Sequence, residues 1–482
     1  LDLRDIIGSY PILEIKGPRD INISKLTHDS RKVNKGDLFI AQRGFTYDGH
    51  EFITDAINKG ALAIVCEEDF TYEKITKIKV LDSTDALGYF SSRFYKLPWA
   101  RLGMVGITGT NGKTSIAHYL RYIIGQEKIK TAILGTMGAI INKSQIELIN
   151  TTPDALLIQE IVNEMVRKKV KYCFMEVSSH ALDMKRVKYM DFDMAIFTNL
   201  SNEHLDYHKN IDNYFQAKSR LFNKTKKNII NLDDPYGRRL IKEIDGKIPT
   251  FTYGLGKKAD AYASNISYTN NTSNFTLNIL GERAEGKVNA LGQFSIYNAR
   301  AASLCAYLYG IDIKTIKNAL KSMETIKGRT EFIPNKSGIN IVIDFCHTPD
   351  GLREVLLALK KITKGNIIVV FGAGGNRDPD KRPEMGEVVG RLADLAIISS
   401  DNPRFENPET IINDIIIGVK KSQADYVKII DRREAIEYAL RLAKTGDTIL
   451  LAGKGHEEYM VIEDKKYPFS ERELVLNILN NE

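Results

Sequence analysis

The stretch GITGTNGKTS, residues 106–115, decides the fold. It follows an apolar strand pattern, LGMV, and runs into the helical pattern SIAHYLRYII. A glycine-rich turn between a strand and a helix points backbone N–H groups at one spot, where the helix N-terminus also favours negative charge. In that arrangement Lys113 reaches terminal phosphates and the Thr114 hydroxyl sits on Mg²⁺. The spacing departs from GxxxxGKT, because Ile107 stands at the first glycine position and Gly106 is one residue early. A nucleotide-binding parallel α/β domain is the expectation.

The neighbouring segments extend that pattern. KTAILGT, YCFMEVSS, MAIFTNL and KNIINLDD read as buried strands, with helical stretches such as DALLIQEIVNEMVRKK between them. This alternation predicts a parallel sheet with crossover helices. A second series follows residue 327: INIVIDFCH, NIIVVFGAG, DLAIISSDNP, DYVKIID and DTILLAGKGHE. Before residue 98, DLFIA and ALAIVCE form a smaller α/β unit that ends at KLPWA. Three domains are expected, spanning 1–98, 99–327 and 328–482, in line with about 100–200 residues per domain for 482 residues. The polar motifs all fall just past the carboxyl ends of strands, where open parallel sheets bind ligands. Two sheets facing each other would gather them in one cleft.

Composition narrows the class. Hydrophobic content of 43% and charged content of 27% are those of a globular protein, and no apolar run approaches the ~18 residues of a membrane span. The opening LDLRDIIGSY carries charges where a secretory signal is apolar, which argues for a cytoplasmic protein without membrane insertion. The four cysteines are scattered without a CxxC pair, so neither zinc nor a disulfide framework is indicated. A net charge of +7 without a basic block gives no sign of nucleic acid and suits anionic small molecules equally well.

The segment SSDNPRFENP, residues 399–408, stops an apolar run at Asp401, Asn402, Pro403 and Arg404. Two readings stand open: an ordinary polar turn, or a clamp for a small charged molecule.

TGTNGKT resembles the phosphate loop of the Mur ligase family, ATP-dependent enzymes that form the amide bonds of the peptidoglycan stem peptide. The resemblance continues in order through THDSRKVNKGDLFIAQRGFTYDGHEFI, NTTPD, MEVSSHAL, NLSNEHLDYH, YFQAKSRLF, DFCHTPDGL, GAGGNRDPDKRPEMG, DNPR and AGKGHE. The last group is similar to members that add a diamino acid to UDP-N-acetylmuramoyl-L-alanyl-D-glutamate. The resemblance implies three α/β domains: a small UDP-binding domain, a central P-loop ATPase domain and a C-terminal Rossmann-like domain. It also implies ATP as co-substrate, Mg²⁺ as cofactor and an acyl-phosphate intermediate, and the protein is expected to act as a monomer.

Residue roles carry over by motif. Gly109, Thr110, Asn111, Gly112, Lys113, Thr114 and Ser115, with Asn298, Arg300, Arg329, Asp344 and His347, are implied nucleotide contacts. Thr114, Glu176, His204 and Lys218 are the implied metal set, with Lys113 joining Glu176, His204 and Lys218 in catalysis. Taken alone, Glu176 is a strand-end carboxylate, His204 a loop residue and Lys218 a solvated helix charge; the family instead implies an N6-carboxylated Lys218. His28, Ser30, Phe45, Thr46, Tyr47, Asn150, Thr151, Thr152, Ser178 and Arg186 are implied contacts to the UDP-muramoyl dipeptide. Arg377, Asp401, Asn402, Pro403, Arg404, Gly453 and Glu457 are implied contacts to the diamino acid, diaminopimelate, lanthionine or lysine. Pro403 is read as holding the loop that aims Arg404, and Asp401, Asn402 and Glu457 as acceptors for the distal ammonium. Rival readings are a neighbouring peptidoglycan ligase, a folylpolyglutamate synthetase, a P-loop switch and a non-catalytic nucleotide-binding module.

Overall fold

The computed structural model describes residues 1–481 except 45, 46, 73, 245, 270 and 423. The expected uridine-site residues Phe45 and Thr46 therefore lie outside the described residues. Three main sheets follow one another along the chain.

The central sheet has eleven strands, and Gly103–Thr108, the strand that feeds the phosphate loop, lies inside it between Tyr172–Glu176 and Phe192–Phe197. Seven strands in the middle run parallel, and two antiparallel strands extend each edge. Strand alternation sends Val105 and Ile107 into one core and Met104 into the other, so both faces are covered. Successive strands step first to one side of Gly103–Thr108 and then to the other. That reversal opens a crevice at the strand ends, over the phosphate loop.

The helix Ala155–Arg167 shows how the crossovers are fixed. Asp154 caps it by accepting from the Leu157 N–H, and Ile158, Ile161, Val162 and Met165 pack on the sheet. The strands Ala261–Thr269, Thr272–Ile279 and Glu282–Val288, which carry the sheet to one edge, are not evident in the sequence pattern. Much of their surface is half-buried and polar, and the hydrophobic signal is diluted.

The N-terminal sheet has five strands, parallel except for Glu14–Lys16. The C-terminal sheet has six, parallel except for Glu331–Phe332, and is covered on both faces. A hairpin, Tyr459–Ile462 with Lys465–Pro468, stands apart from it. All four cysteines are free and buried. Among the described residues no helix is long and apolar enough to cross a membrane.

Candidate active site

The phosphate loop needs its glycines. Gly109 has φ 142° and Gly112 φ 92°, and added Cβ atoms would lie 1.8 Å from Thr198 Oγ1 and 2.4 Å from Asn298 Oδ1. The loop is tied down from outside: the Asn111 N–H donates to Asn199 Oδ1 at 2.9 Å, and the Thr198 hydroxyl to the Asn111 carbonyl at 2.7 Å. Lys113 Nζ donates to the carbonyls of Gly109 at 2.9 Å and Thr110 at 2.8 Å. Burial lowers the pKa of this ammonium, against the pull of Glu203 and Glu176.

Beside the loop lies a cleft of about 490 Å³ lined by Gly112, Ser115, Asn298, Arg329, Asp344 and His347 among others. The sequence expectation that these residues meet is matched by their placement. Two of the expected nucleotide contacts, Asp344 and Arg300, have other work. Asp344 accepts from the Thr330 N–H at 2.6 Å and the Cys346 N–H at 2.7 Å, so its carboxylate shapes the wall. Arg300 is fully buried, donates to the Gly254 and Ile296 carbonyls and packs against Tyr297, so it supports the cleft from beneath and does not line it.

Glu176 is 1% exposed, which overturns its reading as a solvated strand end. Its carboxylate accepts from the Thr114 hydroxyl at 2.9 Å and from the Thr136 N–H and hydroxyl, both at 3.0 Å. Among the described residues no basic side chain pairs with it. A buried carboxylate with a hydroxyl partner and no cation is a donor set that fits Mg²⁺. No group of three or more His, Cys, Asp or Glu could enclose a metal among the described residues. Mg²⁺ is ordinarily held by one or two carboxylates together with substrate phosphates and water.

Lys218 is 2% exposed, so the solvated-charge reading fails for it too. Its Nζ donates to the Gly109 carbonyl at 3.0 Å and lies 4.5 Å from the centre of the Tyr214 ring. Burial, then the charge of Lys113, drives its pKa well below the ordinary lysine value, partly offset by Glu203. His204 sits in a left-handed turn, φ 58°, with its ring 4.8 Å from that of His180.

Among the described residues, two polar contacts join the central and C-terminal sheets here. His347 Nε2 lies 3.4 Å from Glu203 Oε1, and Arg329 Nη2 donates to Thr114 Oγ1 at 3.2 Å. Burial opposes ionisation of Glu203, yet His347, His204 and Lys113 hold its carboxyl well below the usual range. The connecting peptide is tightly packed: Gly328 has φ 66°, and a Cβ there would lie 2.2 Å from the His456 nitrogen. Sequence reasoning missed Glu203, although NLSNEH contains it, because the histidine beside it drew the assignment.

The expected dipeptide contacts form one network under Glu176. The Thr152 hydroxyl donates to the Glu176 carbonyl at 2.8 Å and accepts from the Ser178 N–H at 3.0 Å; Arg186 donates to the Thr152 carbonyl at 2.6 Å. Thr151 and Thr136 share a hydroxyl contact at 3.1 Å, whereas Asn150 is exposed on the loop. Toward the N-terminal domain, His28 Nε2 lies 3.7 Å from Asp154 Oδ1. Ser30 is buried, and Tyr47 is 72% exposed.

The remaining motifs meet on the C-terminal sheet. Arg404 Nη1 donates to the Gly375 carbonyl at 2.8 Å, which leaves the Nε–Nη2 edge as its fork. A Cβ on Gly374 would touch both Arg404 Nη1, at 2.9 Å, and Arg377 Cγ, at 3.7 Å, so the two arginines are neighbours. Arg404 is aimed by more than Pro403. It has φ 51°, its N–H donates to the Val461 carbonyl, and its own carbonyl accepts from Glu463, which ties it to the hairpin. Asn402 is not the free acceptor expected from the sequence: Oδ1 accepts from Lys454 Nζ at 3.1 Å and the Val461 N–H at 2.9 Å, and Nδ2 donates to Glu457 at 2.8 Å.

Known proteins resemble the chain over its full length. Family models match residues 22–95 (Mur ligase family, catalytic domain), 107–306 (Mur ligase middle domain) and 328–455 (Mur ligase, glutamate ligase domain). UDP-N-acetylmuramoyl-L-alanyl-D-glutamate--2,6-diaminopimelate ligase 1 of Clostridium acetobutylicum is 42% identical over 98% of both chains. The 2,6-diaminopimelate ligase of that name from Caldanaerobacter subterraneus subsp. tengcongensis is 44% identical over 97% of this chain and 96% of its own. A solved structure of such a ligase, 30% identical, superposes with a TM-score of 0.72 over 100% of this chain and 99% of that one. Matched by family models along three successive stretches and by full-length relatives at 42% and 44% identity, the chain belongs to the Mur ligase family.

Proposed function

We infer that this chain is an ATP-dependent amide ligase, a UDP-N-acetylmuramoyl-tripeptide synthetase. It joins meso-diaminopimelate, or a similar diamino dicarboxylic acid, to the D-glutamyl carboxylate of UDP-N-acetylmuramoyl-L-alanyl-D-glutamate. Full-length relatives of that name support the reading. The observation that carries it is a Lys113 phosphate loop in one chain with neighbouring Arg377 and Arg404 on two loops of the C-terminal sheet. An alternative is the same ligation with L-lysine. Domain boundaries at 98/99 and 327/328, action as a monomer in the cytoplasm and a role in cell-wall synthesis belong to the proposal.

Phosphoryl transfer from ATP to a carboxylate brings two anions together, so positive charge and positioning do most of the catalysis. Lys113 and Arg329 supply fixed cations at the cleft. Thr114 and Glu176 would hold Mg²⁺ beside the phosphates, and His204 with a carboxylated Lys218 a second ion; the metal would neutralise phosphate charge. The Thr152–Ser178–Arg186 network orients the dipeptide toward Glu176. Attack of the diamino acid's amine on the acyl phosphate then forms the amide and releases phosphate.

ADP release measured with each acceptor omitted tests this directly. Release is expected only when the UDP-dipeptide and a diamino acid are both present; release with neither would favour a switch or motor.

Arg404 decides the substrate. Its free guanidinium edge makes two charged hydrogen bonds to the distal carboxylate that distinguishes diaminopimelate from lysine. Alanine adopts the left-handed φ of 51° no less readily than arginine, so Arg404→Ala adds no backbone strain. Breaking a buried charge pair costs roughly 2–5 kcal/mol. Loss of kcat/KM for diaminopimelate is therefore expected at about thirtyfold to several-thousandfold, with weak lysine use nearly unchanged. A wild type that prefers lysine, or equal loss of both substrates, would make Arg404 a turn residue only.

A further inference from the structure

The turn GKGHE, residues 453–457, closes on Lys454, a residue that the functional reading above leaves without a role. Its neighbours Gly453 and Gly455 have φ 116° and 55°. A Cβ on Gly453 would lie 2.8 Å from Asp401 Oδ2, and one on Gly455 2.6 Å from Phe345 Cβ. The turn is thus pressed between two loops, and Lys454 is 0% exposed. A buried ammonium is tolerated only where acceptors surround it.

Lys454 has three. Nζ lies 3.1 Å from Asn402 Oδ1, 3.3 Å from Glu457 Oε2 and 3.5 Å from Asp401 Oδ1. Each acceptor belongs to a residue expected at the diamino acid. Because Asn402 Oδ1 also takes the Val461 N–H, the carboxamide is fixed with Nδ2 on Glu457 Oε2. Glu457 is held through that one oxygen, and Oε1 has no hydrogen-bond donor among the described residues. The distal ammonium of a substrate would otherwise seek the slot that Lys454 fills.

We propose that Lys454 is a positioning and specificity residue for the amino-acid substrate. Its buried ammonium occupies the cation slot of Asp401, Asn402 and Glu457, and so presents Glu457 Oε1 as an acceptor for the substrate's distal ammonium. A diamino dicarboxylate satisfies that oxygen and Arg404 together. A plain alkylammonium, as in lysine, has no carboxylate for the arginine. Emptying the slot leaves two carboxylates without their cation, a site that takes any alkylammonium. The proposal rests on the ligase reading above.

Steady-state ADP release by the full chain, with each substrate varied in turn, tests it. Lys454→Met is expected to raise KM for diaminopimelate about thirtyfold or more. KM for ATP and for the UDP-dipeptide should stay within about threefold, and the preference over lysine should narrow. Lys454→Arg should recover part of the loss. In a Glu457→Gln background, Lys454→Met should add little, because Lys454 acts through Glu457. That double variant removes one charge of each sign and keeps the test available if the single variant does not fold. A fall in kcat with an unchanged amino-acid KM, or full additivity with Glu457→Gln, overturns the proposal while leaving the ligase intact. A wild type that ligates no diamino acid overturns the ligase reading itself.

Discussion

Lys218→Ala is expected to lose about a hundredfold or more in kcat, with part of the activity returned by acetate or propionate. Burial governs the charge of this amine. An amine that is 2% exposed and close to the Lys113 ammonium is disfavoured as a cation. An uncharged amine is a nucleophile for carbon dioxide, and loss of its proton leaves a carbamate anion. The carbamate nitrogen keeps one N–H, so the bond to the Gly109 carbonyl can persist. The outcome would be a negative group where the sequence spells a cation, beside Lys113 and in range of His204. A short carboxylate entering the space left by Lys218→Ala restores that charge. Equilibration of the wild type with ¹³C-labelled bicarbonate should give a carbamate carbon signal that Lys218→Ala lacks. No label on active wild type, together with no rescue by any short carboxylate, would discard the idea.

Lys113→Ala should lower ligation about a thousandfold or more, the scale on which cations directed at a transferring phosphoryl group act. Lys113 also closes the phosphate loop on the Gly109 and Thr110 carbonyls, so its loss removes a charge and loosens the turn. Affinity for the UDP-dipeptide should hardly change, because its uridine end is expected on the five-stranded sheet. Calorimetric titration of the variant with the UDP-dipeptide checks this. A parallel collapse of both affinities would count against assigning the two ligands to different domains.

The sequence made the parallel architecture legible because buried strands, crossover helices and a glycine turn are local patterns with fixed periods. Gly112 could be placed from GTNGKTS alone. Partners distant in the chain could not. Glu203 meets His347 across 144 positions, and no periodicity announces that contact. Lys454 was hidden by the ordinary behaviour of lysine, which is seldom buried, and only the loop geometry shows its three acceptors. Arg300 illustrates the opposite error, since a motif position suggested a ligand contact while helix packing sent the side chain under the cleft. Thr272–Ile279 escaped because Ser, Asn and Thr fill the positions between Phe275, Leu277 and Ile279, so only half of this largely buried strand is apolar.

The peptide at Gly328 and Arg329 has two walls for neighbours. One residue leaves no room for a Cβ against the GKGHE turn, and the next donates to Thr114 in the phosphate loop. A nucleotide that shifted Arg329 would therefore strain or relax the turn that holds Glu457, without touching the amino acid. Linkage makes such an effect reciprocal: the factor by which nucleotide changes amino-acid affinity is the factor by which amino acid changes nucleotide affinity. If the two ligands bind on separate sheets as proposed, they would share one mechanical joint, and an inhibitor seated at either end would be felt as cooperativity at the other.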